Sequence, residues 1–251
     1  MIIVESIAKW MEIRKNIKHQ SIGFIPTMGN LHLGHSSLIE KSIIDNDITI
    51  VSIYINPAQF DDQNDFINYP KTLNDDLEIL RKLKIDYLFL PITKDIYPDE
   101  FSFRILNDSN YSRIMEGEAR KGHFSGMLTI VMKLLNIVKA DNAYFGEKDY
   151  QQLRLVELMT KAFFIDTIIV PCKTIRNEYG VAMSSRNNRL SGEELKKISI
   201  FPKLLGSNLP DDIIISELEK EFIVDYIKTI DNRRFGAIIV NNVRLIDNME
   251  I

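Results

Sequence analysis

Ile25-Pro26-Thr27-Met28-Gly29-Asn30-Leu31-His32-Leu33-Gly34-His35-Ser36-Ser37-Leu38 is the stretch on which the reading of this chain turns. An apolar run over 22–25 leads into it and stops at Pro26. A turn containing Gly29 follows, and then Leu38, Ile39, Ile43 and Ile44 recur at helical spacing. The pattern predicts strand, turn and helix, with His35 at the mouth of the helix. A helix start offers unpaired N–H groups and a partial positive charge, both suited to phosphate. Gly29 and Gly34 are expected to let a phosphate chain come close to the backbone. His32 and His35, two of the four histidines in 251 residues, flank Gly34. Their imidazoles are placed to touch the same phosphates as these gain charge.

Working outward, short β-branched and aromatic runs alternate with longer amphipathic ones. Strands are expected over 22–25, 48–55, 87–90, 143–145 and 167–170, and helices over 36–45, 73–84, 126–138 and 150–163. Alternation of this kind implies βαβ units, an α/β fold and a parallel sheet covered on both faces. Ligands then sit beyond the carboxyl ends of the strands, near the topological switch point. Three of those ends carry chemically useful groups: the Met28 to His35 turn, Asn56-Pro57-Ala58-Gln59-Phe60, and Gly146-Glu147-Lys148-Asp149-Tyr150-Gln151-Gln152. From about Thr174 the texture changes. Helix-like stretches at 192–198 and 213–222 precede two β-rich runs, 237–240 and 243–246, separated by Asn241-Asn242, which reads as a hairpin. The expected organisation is a main domain over 1–174 and a small α+β domain over 175–251.

Composition narrows the function classes. The chain is 45% hydrophobic and 26% charged, as in ordinary globular proteins, and its net charge is −4. No basic block is present, which argues against nucleic acid as a partner. No apolar stretch is long enough to span a bilayer, so no membrane association is expected. No secretory signal is read at the start, and Cys172 is the single cysteine, which points to a reducing cytoplasm. It reads as a packing residue at a strand end.

Lys148 and Arg186 are the cations best placed for a triphosphate, the first in a glycine turn after a strand, the second after two hydroxyls in Met183-Ser184-Ser185-Arg186-Asn187. Attack at phosphorus needs positioning and neutralisation of developing charge more than covalent help. His32, His35, Lys148, Ser184, Ser185 and Arg186 are therefore the catalytic candidates. Asn56, Gln59 and Gln152 are neutral amides that both donate and accept, which suits a small hydroxylated acid. His123, in the glycine-flanked loop Lys121-Gly122-His123-Phe124-Ser125-Gly126, joins them as a substrate-binding candidate. Asp61-Asp62 and Asp75-Asp76 read as helix caps and not as metal ligands. Magnesium commonly binds through substrate phosphates, so no protein ligand to it is assigned.

The H-x-G-H pattern resembles the signature of the nucleotidyltransferase superfamily, whose members act at the α-phosphate of a nucleoside triphosphate. More specifically, the chain resembles the pantoate–β-alanine ligase family. The resemblance rests on Pro26-Thr27-Met28-Gly29 with His32-Leu33-Gly34-His35, Asn56-Pro57-Ala58-Gln59-Phe60, Gly122-His123-Phe124, Phe145-Gly146-Glu147-Lys148-Asp149-Tyr150-Gln151-Gln152, Met183-Ser184-Ser185-Arg186-Asn187 and Arg244-Leu245-Ile246-Asp247-Asn248. It implies a Rossmann-like doubly wound N-terminal domain, a smaller C-terminal lid and a homodimer. The implied reaction joins pantoate to β-alanine through pantoyl adenylate, consuming ATP with Mg2+ and releasing AMP and pyrophosphate. ATP would be held by Met28, Gly29, Asn30, Leu31, His32, Leu33, Gly34 and His35, with His35 a proton donor. Gly146, Glu147, Lys148, Asp149, Ile175, Met183, Ser184, Ser185 and Arg186 would line the same nucleotide. Gln59 and Gln152 would bind pantoate, and Gln59 also β-alanine. One departure is a C-terminal segment, from about Leu190, that is shorter than the resemblance leads one to expect. The rival reading is a nucleotidyltransferase of the same superfamily acting on a phosphorylated acceptor. It would want an acceptor site richer in Arg and Lys than the loops at Gln59 and Gln152.

Overall fold

A computed structural model describes residues 1–251. In chain order the elements are β1 (Ile2–Val4), α1 (Ile7–Asn16), β2 (Ile22–Thr27), α2 (Leu33–Asp45), β3 (Ile48–Ile53), α3 (Gln63–Ile67), α4 (Leu73–Leu83), β4 (Tyr87–Phe89), α5 (Thr93–Ile96), α6 (Glu116–Ala119) and α7 (His123–Val138). They continue with β5 (Asn142–Gly146), α8 (Tyr150–Ala162), β6 (Ile168–Cys172), α9 (Gly192–Ile198), α10 (Ile200–Leu205), α11 (Asp211–Leu218), β7 (Ile223–Ile230), β8 (Arg233–Val240) and β9 (Val243–Glu250). The chain forms two compact units. The first comprises Met1–Leu31, His35–Gly146 and Gln151–Cys172; the second comprises His32–Gly34, Glu147–Tyr150 and Lys173–Ile251.

The first unit is built on a parallel sheet of order β1-β4-β3-β2-β5-β6. Its central strands are apolar-rich and buried along nearly their whole length because both faces are covered: Ile22, Phe24, Ile25, Ile50 and Val51 are all buried, as are Thr49 and Ser52 beside them. From β2 the chain winds outward through β3 and β4, whereas β5 and β6 lie on the other side of β2. The switch point is therefore between β2 and β5. Their ladder covers only Gly23 and Phe24 against Asn142 and Ala143, and beyond it Tyr144–Gly146 pair with β6 alone. The doubly wound, Rossmann-like architecture agrees with the expected fold class.

Several boundaries differ from the sequence expectation. α2 begins at Leu33, not at residue 36, because Leu33 is exposed and carries no periodic signal. α7 begins at His123, just after Gly122 in the left-handed region at φ +81°. β1 and α1 were not anticipated: β1 has three residues, and of α1 only Trp10 is buried, its Nε1–H donating to Ile137 O at 2.9 Å.

The second unit is the antiparallel sheet β7-β8-β9 with α9, α10 and α11. Its core holds Ile198, Phe201, Leu205, Ile214, Leu218, Ile238 and Leu245. The hairpin expected at Asn241-Asn242 joins β8 to β9, with Val240 opposite Val243. Both asparagines have positive φ (47° and 63°), as a two-residue primed turn demands. β7 escaped the reading because it is an edge strand with Ile227 as its one buried residue. The helix expected over 213–222 runs instead over Asp211–Leu218.

Candidate functional site

In the first unit the turn after β2 is held by the protein's own oxygens. Gly29 N–H donates to Thr27 Oγ1 at 3.2 Å. Asn30 N–H donates to Asp76 Oδ2 at 3.0 Å and Leu31 N–H to Asp76 Oδ1 at 2.7 Å. These three amides are thereby spent on shaping the turn. Gly29 is required for a related reason: its φ is +80°, and a Cβ there would lie 2.9 Å from Asp76 Oδ2. Asp76 is 2% exposed and is thus an anchor for the turn, not the helix cap expected of it. Asp62 does cap α3, accepting Asn64 N–H at 2.8 Å. His35 stands half-buried in the first turn of α2.

The Asn56–Phe60 loop lies beyond β3. Gln59 is half-buried, and its Nε2 donates to Met28 Sδ at 3.0 Å. A thioether is a weak acceptor, so this amide can turn to a substrate oxygen at little cost. Asn56, by contrast, is 1% exposed and fully engaged. It donates to Gly126 O and Gln59 Oε1 and accepts from the Tyr97 hydroxyl at 2.8 Å. The structure places it behind Gln59, as support for the loop. His123 is likewise buried behind the loop, with both ring nitrogens engaged. Of the adjacent pair on α8, Gln151 bonds Tyr111 O, Ile114 O and Glu116 N–H. Gln152 is half-buried, and its amide is not spent on the fold.

The second unit gathers the cationic candidates. Lys148, Ser184 and Arg186 line one recess together with Arg244 and Asp247. Asn248 donates to the carbonyls of Glu147 and Lys148, both at 2.9 Å, and so fixes the lysine turn. Arg176 grips Asp247 through two bonds of 2.6 and 3.0 Å. Met183 N–H donates to Ile175 O at 2.9 Å, which places these two nucleotide candidates side by side. Ser184 caps the short helical turn Ser185–Arg189 and accepts Arg186 N–H.

His32 lies in the same unit. Burial and the nearby Lys148 cation lower its pKa to about 4, so the ring is neutral at pH 7. Its Nδ1 accepts Gly34 N–H at 3.1 Å, leaving the ring proton on Nε2. A Cβ at Gly34 would meet this ring at 2.9 Å, so glycine is needed here to seat His32. No group of three or more His, Cys, Asp or Glu side chains is arranged to hold a metal ion. Tyr97 and Arg176 carry no sequence signal, and Asp76 reads there only as a helix cap, because Asn56, Asp247 and the Asn30–Leu31 amides that they meet are distant in the chain.

The sequence profile of pantoate-beta-alanine ligase matches residues 2–250. The chain belongs to the pantoate-beta-alanine ligase family. It is 48% identical to the pantothenate synthetase of Coxiella burnetii over 248 residues, covering 98% of this chain and 96% of that protein. The crystal structure of the pantoate-beta-alanine ligase from Francisella tularensis, complexed with beta-gamma ATP and beta-alanine, superposes with a TM-score of 0.93 at 44% identity, covering 100% and 97% of the two chains. The pantothenate synthetase of Thermus thermophilus gives 0.89 at 33% identity, covering 100% and 99%. This chain thus covers nearly the whole length of each of these three relatives.

Proposed function

We infer that the chain is an ATP-dependent ligase that condenses pantoate with β-alanine. The observation that carries this reading is the full-length likeness to the family, including the Francisella tularensis ligase in complex with a nucleotide and β-alanine. A pantoate carboxylate oxygen attacks the α-phosphorus of ATP, the bond to the β-phosphate oxygen breaks, and pyrophosphate leaves. The β-alanine amine then attacks the acyl carbon of the adenylate, loses a proton, and displaces AMP. The mixed anhydride carries the activation, so no nucleophilic side chain is needed.

Within that reaction we assign ATP to Met28, Gly29, Asn30, Leu31, His32, Leu33, Gly34, His35, Gly146, Glu147, Lys148, Asp149, Ile175, Met183, Ser184, Ser185 and Arg186. Lys148 and Arg186 neutralise charge developing on the phosphates. Neutral His32 offers an Nε2–H donor, and His35 donates a proton to the departing group. Gln59 and Gln152, the amides not spent on strong internal bonds, take pantoate, and Gln59 also β-alanine. Mg2+, carried by the triphosphate, would supply charge neutralisation there through phosphate oxygens and water, beside Lys148 and Arg186. We further assign residues 1–174 as the ATP- and pantoate-binding domain and 175–251 as its lid. The proposed assembly is a homodimer, checked by sedimentation, and the proposed compartment the cytoplasm, in keeping with a lone buried Cys172.

The test is AMP release from ATP, pantoate, β-alanine and Mg2+, omitting each in turn. The ligase requires both organic substrates for sustained AMP formation. Pyrophosphate release without free AMP, independent of pantoate and dependent on a phosphorylated acceptor that takes up the AMP group, would establish the rival nucleotidyltransferase.

A further inference from the structure

We propose that His123 is a positioning residue that acts through Gln59, clamping the Asn56–Asp61 segment to the first turn of α7. The proposal rests on the assignment of Gln59 to pantoate made above. Nδ1 of His123 lies 2.7 Å from the Gln59 carbonyl oxygen, which only accepts, so Nδ1 carries the proton. Nε2 lies 3.1 Å from Nη1 of Arg120, which only donates, so Nε2 is the acceptor. The two partners together select the neutral Nδ1–H tautomer. Burial, reinforced by the Arg120 charge, lowers the pKa of His123 to about 4, consistent with a ring that stays neutral.

The clamp has further points of attachment. Arg120 reaches back to Asp61 through a 3.1 Å ion pair, two residues beyond Gln59. Asn56 donates to Gly126 O at 3.1 Å. At Gly126 an added Cβ would lie 2.0 Å from Ala58 O and 2.7 Å from Gln59 Cα, so the helix and the loop touch backbone to backbone. Held at Asn56, Ala58, Gln59 and Asp61, the loop sets the Gln59 side chain with its Oε1 accepting from Asn56 and its Nε2 bonded only to the weak acceptor Met28 Sδ. His123 is 7% exposed with both nitrogens engaged, and therefore shapes the site without touching substrate.

The test compares His123→Ala, His123→Asn and His123→Gln, with Gln59→Ala and the double variant His123→Ala/Gln59→Ala. Measured are kcat, the KM values for pantoate and ATP, and the thermal midpoint. An asparagine amide N–H can replace Nδ1–H, whereas glutamine reaches toward the Nε2 position. His123→Ala and His123→Gln are expected to raise the pantoate KM roughly tenfold with the ATP KM within about twofold, the signature of a misplaced pantoate contact. His123→Asn recovers most of the loss. In the Gln59→Ala background His123→Ala adds nothing, because the two act as one unit. The proposal is overturned if the ATP KM rises equally, if asparagine is no better than glutamine, or if the two losses add. If Gln59→Ala alone keeps wild-type kinetics, the assignment of Gln59 fails and the proposal with it. An impaired Gln59→Ala beside a wild-type His123→Ala overturns the proposal alone.

Discussion

Asp76 accepts two successive backbone N–H groups of the motif turn and also the Thr72 hydroxyl at 3.3 Å. Truncating it leaves buried donors without partners, at a cost of about 1–3 kcal/mol each. Asp76→Ala is thus expected to lower the urea midpoint and to cut AMP formation by roughly 10²-fold through misplacement of the turn. Asp76→Asn, which keeps one acceptor oxygen, should fall in between. Normal AMP formation by Asp76→Ala would remove the carboxylate from any role in shaping the site. Lys148 is a different case, since its ammonium holds only a 3.4 Å contact to Asp149. Lys148→Ala should therefore keep the wild-type thermal midpoint while adenylation falls on the order of 10²-fold, the loss typical of one transition-state charge contact. Pyrophosphate release from ATP and pantoate in the absence of β-alanine isolates that step, and an unchanged rate would exclude the lysine.

The β8–β9 hairpin needs positive φ at both Asn241 and Asn242. A β-branched residue there costs about 1–2 kcal/mol in backbone strain, whereas glycine costs none. Asn242→Val should lower the thermal midpoint by several degrees and Asn242→Gly should not, as scanning calorimetry can check. Equal midpoints for the two would mean the turn relaxes to another type. The hairpin was legible in sequence because its signal is local, two turn residues between β-rich runs. β7 was not, because an edge strand that buries only Ile227 has no alternation to read. α7 shows both sides: its apolar body was plain, but its start depended on Gly122 and on His123 finding partners in another loop.

His32 and His123 are both held neutral, with pKa values lowered to about 4 against 6.5 in an unfolded chain. Below pH 6.5 the unfolded chain takes up protons that the folded protein refuses, so stability falls as pH drops from about 6.5 to about 4. Urea unfolding at pH 7, 6, 5 and 4 should show that decline. His123→Asn, with one fewer titrating group, should show a shallower one. An identical slope in the variant would mean that His123 does not titrate between the two states.

The class of fold and most of the candidate residues were within reach of sequence alone. Apolar runs of strand length, helical periodicity and turn chemistry are short-range signals, and the strand-end motifs follow them in order. Long-range pairing decided how those motifs are held. Asp76 lies 46 residues from Asn30, His123 64 from Gln59, and Asn248 100 from Lys148. A lone carboxylate, imidazole or amide reads the same in sequence whether it meets solvent, substrate or another loop. Its role is set by which buried donor or acceptor the fold brings to within about 3 Å, because a buried polar group must find a partner.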